Sequence, residues 1–262
     1  MSVENVLQGK VVVVSGIGPG LGRSIAVRSA QAGADVVLAA RTESRLAEVA
    51  KEVTDLGRRA VAVRTDIDDA DSAANLVSEA VEAFGRVDTV VHNAFAVPPL
   101  TDLAEVEFDA VRAGFETAAI SVLRLTRLFL PALKESKGSL VMINSAVLRH
   151  SRRTFGAYKM AKSALLSLSQ SLASELGPDG VRVNTVAPGY IWGPNLQWYF
   201  GYLAKERGIT PEEVYAETAS TTDLRKLPEP DEIADAVVFL ASPMARAITG
   251  QCLDVNGGEY HH

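Results

Sequence analysis

Short apolar runs alternate with amphipathic segments along most of this 262-residue chain. The apolar runs are four to seven residues long and rich in valine, which is typical of buried strands. They predict strands at residues 11–14, 35–39, 60–64, 87–93, 139–144, 181–186 and 252–255. Segments with helical spacing lie between them, from Gly22 to Gly33 and at residues 43–56, 69–84, about 105–133, 155–176 and 231–241. The alternation predicts an α/β fold, a doubly wound parallel sheet of about seven strands with helices on both faces.

The alternation lapses only at residues 190–228, where six aromatic residues lie close together: Tyr190, Trp192, Trp198, Tyr199, Phe200 and Tyr202. A stretch this long inside a compact domain is usually functional or contains helices of its own. We interpret it as an insertion within one domain spanning residues 1–262. Its aromatic side chains form either the core of inserted helices or a lid over a substrate.

Composition excludes several classes of protein. The chain has 26 Lys and Arg against 32 Asp and Glu, a net charge of −6, which disfavours binding to a nucleic-acid backbone. Cys252 is the only cysteine, so no internal disulfide and no cysteine cluster for zinc can form. The first nine residues lack the features of a signal peptide, and no apolar stretch is long enough to span a bilayer. We therefore expect a soluble, cytoplasmic protein with no metal site.

A glycine-rich turn follows the first predicted strand. Gly16, Gly20 and Gly22 lie between that strand and a helix, where the backbone can approach a pyrophosphate and the helix amino terminus offers free N–H groups. Tight turns also use glycine, but the repeated strand and helix units favour a dinucleotide site.

The residues after the second strand bear on which dinucleotide binds. An acidic residue there would accept hydrogen bonds from the ribose 2′-hydroxyl, but the chain has Arg41 and Thr42. A guanidinium and a hydroxyl suit a 2′-phosphate, so we expect NADP(H) to be preferred, with NAD(H) possible. The alternative is that Arg41 is only a solvated residue at a helix start.

Three residues suggest proton chemistry. Tyr158 and Lys162 are four apart in a predicted helix, so they share one face, and an ammonium there would lower the pKa of the phenol. Ser145 follows a strand at the sheet edge where ligands bind, and its hydroxyl could hold a carbonyl oxygen. Each feature alone also fits an ordinary helix pair or a loop serine.

Together these motifs resemble the short-chain dehydrogenase/reductase family. The resemblance runs from about residue 10 to residue 260 and rests on Gly16-x-x-x-Gly20-x-Gly22, Asn93-Ala94, Ser145, Tyr158-x-x-x-Lys162 and Pro188-Gly189, in that order. It implies a Rossmann-type subunit in which Tyr158 is the acid/base, Ser145 orients the substrate oxygen and Lys162 also binds the nicotinamide ribose. The cofactor-binding residues expected from the motifs and the resemblance are Gly16, Gly20, Leu21, Gly22, Arg41, Thr42, Asp66, Ile67, Asn93, Ala94, Tyr158, Lys162, Pro188, Gly189 and Ile191.

The sequence departs from the family pattern at three positions. Phe95 replaces the glycine after Asn93-Ala94, and Ala118 occupies the position of the asparagine that helps hold a relay water. Thr117, next to it, is expected to point elsewhere on a helix. Gly193 replaces the threonine that contacts the carboxamide, so that contact is expected from backbone near Ile191.

These observations lead to an NADP(H)-dependent enzyme that interconverts a ketone and a secondary alcohol. Phe95, Phe155 and Leu148, with the aromatic insertion, favour a hydrophobic substrate such as a 3-oxoacyl, terpenoid or steroid-like molecule. An enoyl reductase is disfavoured because such enzymes place their lysine farther from the tyrosine, where this chain has Leu165 and Leu166. A nucleotide-binding sensor or scaffold that has lost turnover is the alternative.

The two long helices carry apolar residues that do not form one narrow stripe, which together with the family resemblance predicts a homotetramer. These residues are Val122, Leu125, Leu128, Phe129, Leu165, Leu166, Leu168 and Leu172.

Overall fold

A computed structural model describes residues 5–96 and 99–261, so the two ends of the predicted domain lie outside the described residues. Seven strands form one sheet: β1 Val11–Ser15, β2 Asp35–Ala40, β3 Ala60–Arg64, β4 Thr89–His92, β5 Ser139–Ile143, β6 Arg182–Pro188 and β7 Cys252–Val255. The helices are α1 Leu21–Gln31, α2 Glu43–Asp55, α3 Ala70–Phe84, α4 Phe108–Phe115, α5 Ser121–Ser136, α6 Gly156–Leu176, α7 Pro194–Arg207, α8 Pro211–Ala219 and α9 Pro230–Ala241. The predicted α/β fold is confirmed.

The sheet is parallel throughout and has the order β3-β2-β1-β4-β5-β6-β7. Val13 in the central strand β1 is in register with Val37 of β2 on one side and Val90 of β4 on the other. The strand order reverses between β1 and β4. In open α/β sheets the crevice at such a reversal, beyond the carboxyl ends of the strands, is where ligands bind.

Alternating residues of β1 enter two hydrophobic layers. Val12 packs in one layer with Ile25 and Ile233, whereas Val13 packs in the other with Leu125. The two layers lie on opposite faces of the sheet, since a parallel sheet is covered by helices on both faces.

Among the helices of the described residues, none combines the length and apolar character that a membrane span requires.

The predicted long helix at about residues 105–133 is not continuous. Residues 102–106 form a turn in which Val106 N–H donates to the Asp102 carbonyl at 3.0 Å, and α4 begins only at Phe108. A π-helical turn at Glu116–Ile120 separates α4 from α5. Helix α5 then runs to Ser136, three residues beyond the expected end, and stops at Lys137, whose φ of 48° is left-handed.

The insertion contains two helices, α7 and α8, with a small core of their own around Phe200, Val214 and Leu227. The N–H of Trp192 donates to the Pro228 carbonyl at 2.8 Å, which closes the insertion at its base. Part of the aromatic segment thus forms the core of inserted helices. Leu196 and Tyr199 of α7 also line the crevice beyond the sheet, and a lid over a substrate stays a prediction.

Candidate active site

One cleft of about 690 Å³ beyond the strand ends is lined by every catalytic and cofactor-binding residue expected from the sequence. These are Gly16, Gly20, Leu21, Gly22, Arg41, Thr42, Asp66, Ile67, Asn93, Ala94, Ser145, Tyr158, Lys162, Pro188, Gly189 and Ile191. The fold thus brings together residues that are up to 175 positions apart in the chain, from 16 to 191. Their individual roles remain predictions.

The three glycines of the turn serve different purposes. Gly16 has a φ of +103°, and a Cβ there would lie 2.4 Å from the Ala94 nitrogen. A Cβ on Gly22 would lie 2.2 Å from the Gly16 carbonyl oxygen. Gly20, which precedes α1, has only open space where a Cβ would be. Gly16 therefore allows the turn to pack on the segment after β4, Gly22 allows the turn to close on itself, and Gly20 leaves room for a ligand at the uncapped start of α1.

Arg41 lies exposed at the far end of the cleft. It has no hydrogen bond or ion pair to any residue in the described part of the chain, whereas the neighbouring carboxylate of Glu43 lies 4.0 Å from Arg64. Thr42 is the N-cap of α2, yet its hydroxyl does not cap the helix. A guanidinium, a free hydroxyl and a helix amino terminus thus meet where the second strand ends.

His92 is buried at the end of β4, in register with Ser15 of β1. Its Nε2 lies 3.0 Å from the Thr126 hydroxyl, and burial lowers its pKa to about 4, so the ring is neutral at physiological pH. Its Nδ1 and the Ser15 Oγ are buried without a partner among the described residues. The adjacent Asn93 donates from Nδ2 to the Gly16 carbonyl at 2.6 Å, which ties β4 to the glycine turn.

Ser145, Tyr158 and Lys162 lie around the end of β5. Lys162 is buried, and its Nζ donates to the Ile143 carbonyl at 2.8 Å and lies 5.9 Å from the centre of the Tyr158 ring. Burial lowers the pKa of Lys162 to about 8. Burial also raises the pKa of Tyr158, and a hydrogen bond with the Ser145 side chain opposes that rise.

The expectation of a lowered Tyr158 pKa is therefore wrong, because burial of the phenol raises it. The ammonium is held by a backbone carbonyl on the ring side, and desolvation of the phenol is the larger effect. Tyr158 is consequently protonated at neutral pH, the state that a proton donor in carbonyl reduction needs.

Asn144 is a site residue that the sequence analysis missed. Its side chain is buried, accepts from the Ser145 N–H at 2.9 Å and donates to the Lys162 carbonyl at 3.0 Å. One side chain thus sets the position of Ser145 relative to the helix that carries Tyr158 and Lys162. The only sequence signal was a polar residue at the end of an apolar strand.

The prediction that Thr117 points away from the site is also wrong. Thr117 lines the cleft and donates to the Asp68 carboxylate at 2.8 Å, whereas Ala118 is buried beside it and is not among the lining residues. Both residues belong to the π-helical turn. A π turn contains an additional residue, so side-chain directions beyond it differ from those of a regular α-helix.

Phe95, Tyr190, Leu196 and Tyr199 form the wall of the cleft contributed by the β4 loop and the insertion. Two residues expected there lie elsewhere. Phe155 lines a separate apolar groove, where it contacts the His150 ring edge-on at 5.6 Å, and Leu148 is not part of the cleft lining. Leu148 belongs to the short 3₁₀ segment at residues 146–149, and Phe155 is the N-cap of α6.

Comparisons with known proteins agree with this architecture. An uncharacterized oxidoreductase of Mycobacterium tuberculosis is 38% identical over 253 residues, covering 96% of this chain and 92% of the relative. L-Sorbose reductase of Gluconobacter frateurii, solved with NADPH and L-sorbose, superposes with a TM-score of 0.92 at 27% identity, covering 99% of this chain and 98% of that one. Carveol dehydrogenase of Mycobacterium avium, solved with NAD, gives 0.90 at 28% identity, with 97% and 99% coverage.

A family model described as enoyl-(acyl carrier protein) reductase matches residues 16–260, nearly the whole chain. The match begins at the first glycine of the cofactor turn and extends past β7, so it includes every motif on which the sequence resemblance rests. The chain belongs to the short-chain dehydrogenase/reductase family of oxidoreductases.

Proposed function

We propose that this protein is an NADP(H)-dependent oxidoreductase that interconverts a ketone and a secondary alcohol on a hydrophobic substrate. The observation that carries the proposal is the meeting of Ser145, Tyr158 and Lys162 in one cleft with the glycine turn. The proposal includes the cytoplasmic location and the homotetramer expected from the sequence.

The residues present fit a nicotinamide dinucleotide. Gly20 leaves open space at the start of α1, where free N–H groups suit a pyrophosphate. Lys162 has further N–H groups beyond the one given to Ile143, and these suit ribose hydroxyls. When bound, such a cofactor supplies or accepts the hydride. L-Sorbose reductase and carveol dehydrogenase were solved with NADPH and NAD respectively, which supports a nicotinamide cofactor without selecting one.

The protein's own residues then move the proton. In reduction, the Tyr158 hydroxyl gives its proton to the carbonyl oxygen, and the Ser145 hydroxyl holds that oxygen in place. The Lys162 ammonium stabilises the phenolate that remains. In oxidation the phenolate takes the proton back from the alcohol.

The chain's residues favour a carbonyl over a carbon–carbon double bond, although the matching family model is described as an enoyl reductase. Leu165, where such enzymes are expected to place their lysine, is buried in the core and offers no ammonium to the cleft. Phe95, Leu196 and Tyr199 give the substrate wall a largely apolar surface. That surface supports a substrate closer to carveol than to a free sugar.

Arg41 provides the test of cofactor choice. Its guanidinium is unpaired among the described residues and lines the cleft, so Arg41→Asp should weaken NADPH and strengthen NADH. Losing one charged hydrogen bond costs about 1.5 to 3 kcal/mol, or about 10- to 100-fold in NADPH affinity. Fluorescence titration of both cofactors measures this change.

Arg45→Asp is the matched control, because Arg45 lies four residues further along the chain in the first turn of α2, is paired with Glu48 and does not line the cleft. It should alter both affinities little. A wild-type protein that prefers NADH, or equal effects of the two substitutions, would contradict the role of Arg41.

Turnover of a panel of ketones and alcohols, followed by nicotinamide absorbance, separates an enzyme from the alternative of a sensor that binds NADPH without turnover.

A further inference from the structure

Three segments meet at the guanidinium of Arg152 beside the cleft. Arg152 lies in the loop between Ser145 and Tyr158, and its Nη1 donates to the Tyr190 hydroxyl oxygen at 2.9 Å. Its Nη2 donates to the Tyr260 hydroxyl at 2.6 Å and to the Glu259 carboxylate at 3.1 Å. The Arg152 side chain thereby joins its own loop to the segment after β6 and to the segment after β7.

The Tyr190 hydroxyl retains an unused proton. A guanidinium only donates, so the Tyr190 oxygen accepts from Arg152 and its own O–H points elsewhere. No residue in the described ranges accepts that O–H, although Tyr190 lines the cleft with Ser145 and Tyr158. The Tyr260 hydroxyl differs, because it accepts from Arg152 and is also hydrogen-bonded to Glu259. Tyr190 therefore has an O–H that no described residue accepts, on a side chain that lines the cleft.

The charges nearby indicate which kind of group would accept. The Glu259 side chain is only 4% exposed and is paired with Arg152, so the cation is already balanced. An anionic substituent would meet that buried carboxylate without a free cation to offset it. Donation from Arg152 also polarises the phenol, which makes its O–H a better donor to a neutral oxygen.

We propose that Tyr190 determines specificity by donating a hydrogen bond to a second, uncharged oxygen of the substrate, away from the reacting carbonyl. Arg152 is a positioning residue that fixes the Tyr190 hydroxyl. This inference rests on the proposed function and narrows the substrate class to hydroxy-ketones, diketones and the corresponding diols with an apolar carbon frame.

The test uses the protein with NADPH and pairs of cyclic ketones, each with and without a second oxygen, such as cyclohexanone with 4-hydroxycyclohexanone and larger fused-ring pairs. In at least one pair, Tyr190→Phe should lower the ratio of kcat/KM between the oxygenated and the plain ketone by about 3- to 10-fold, the value of one neutral hydrogen bond. Arg152→Gln should lower the same ratio less, because the phenol remains but is no longer fixed.

Two exposed residues supply matched controls. Tyr202→Phe changes a tyrosine on α7 outside the cleft, and Arg153→Gln changes an arginine that pairs with Asp102 and does not contact Tyr190. Both should leave the ratio as in the wild type. Equal effects of Tyr190→Phe on both members of every pair would overturn the inference.

Calorimetric binding of the matching alcohols and diols separates this inference from the proposed function. If diols bind more tightly than alcohols and Tyr190→Phe removes the difference, the subsite stands even where turnover is absent. If no diol binds more tightly than its mono-alcohol, the inference fails, whether or not ketones are reduced.

Discussion

Lys162 shows how burial at a single residue links pH to cofactor binding. The ammonium is enclosed, and its pKa of about 8 means that it is charged below that pH and neutral above it. The charge is expected to hold the nicotinamide ribose, so NADPH affinity should be full below pH 8 and should fall as pH rises through that value. Fluorescence titration of NADPH between about pH 7 and about pH 10 measures this change.

Lys162→Met is the corresponding control, since it removes the titrating group. This variant should bind NADPH weakly at every pH, and its NADPH affinity should not change near pH 8. An affinity of the wild type that stays constant across this range would show that the Lys162 charge does not contribute to binding.

At the scale of residues, the sequence predicted which side chains line the cleft better than it predicted the direction of their pKa shifts. Tyr158, Lys162 and Ser145 could be selected because helical spacing and strand ends are local features. The raised pKa of Tyr158 could not be foreseen, because it depends on how completely the fold encloses the phenol. The position of Phe155 in a separate groove likewise depends on the path of the loop before α6, which the hydrophobic pattern does not reveal.

At the scale of elements, Asn144 joins the end of β5 to α6. Asn144→Ala removes the acceptor of the Ser145 N–H and the donor to the Lys162 carbonyl, so Ser145 should lose its fixed position relative to Tyr158. We expect a loss of about 1 to 3 kcal/mol in the free energy of unfolding and a larger fall in kcat than rise in KM. Denaturant unfolding and steady-state kinetics measure the two effects.

Asn184→Ala separates stability from positioning. Asn184 is equally buried and also bonds two backbone groups, at Ile248 and Gln251, but it does not line the cleft. It should destabilise the fold comparably and leave kcat close to that of the wild type. If both variants lower kcat to the same extent, Asn144 has only a structural role.

Element identities were predictable because apolar runs and glycine stops repeat in a fixed order, and each predicted strand is present in the sheet. The π turn between α4 and α5 was not predictable, because no proline or glycine marks residues 116–120. The prediction of one helix there follows from apolar spacing that continues on both sides. Its consequence is local, since it places Thr117 rather than Ala118 in the cleft lining.

At the scale of the whole molecule, the residues available for a subunit interface differ from those expected. Val122, Leu125, Phe129, Leu165 and Leu172, which were expected to need a partner, are buried within the subunit. Other apolar residues are exposed on or beside α4, α5 and α6: Leu103, Phe108, Ile120, Leu128 and Met160. Phe108 is 76% exposed, the highest exposure among these five residues.

We still expect a homotetramer, and we predict that these exposed residues lie at a two-fold interface. Phe108→Asp should lower the mass measured by sedimentation equilibrium at micromolar concentration. Leu224→Asp is the control, because Leu224 is 66% exposed but lies in the segment after α8 and not on or beside α4, α5 and α6. A wild-type protein that sediments as a monomer would contradict the prediction.

The central claim is that this cleft transfers a hydride between a nicotinamide and a carbonyl carbon while Tyr158 transfers the proton. The most direct measurement incubates the protein with a reducible ketone and NADPH that is deuterated at its transferable position, followed by mass spectrometry of the alcohol. We predict one deuterium in the product of the wild type. Tyr158→Phe should bind NADPH nearly as well as the wild type and form almost no product, because only the transferable proton is lost. Product without deuterium, or an unaltered rate in Tyr158→Phe, would contradict the account.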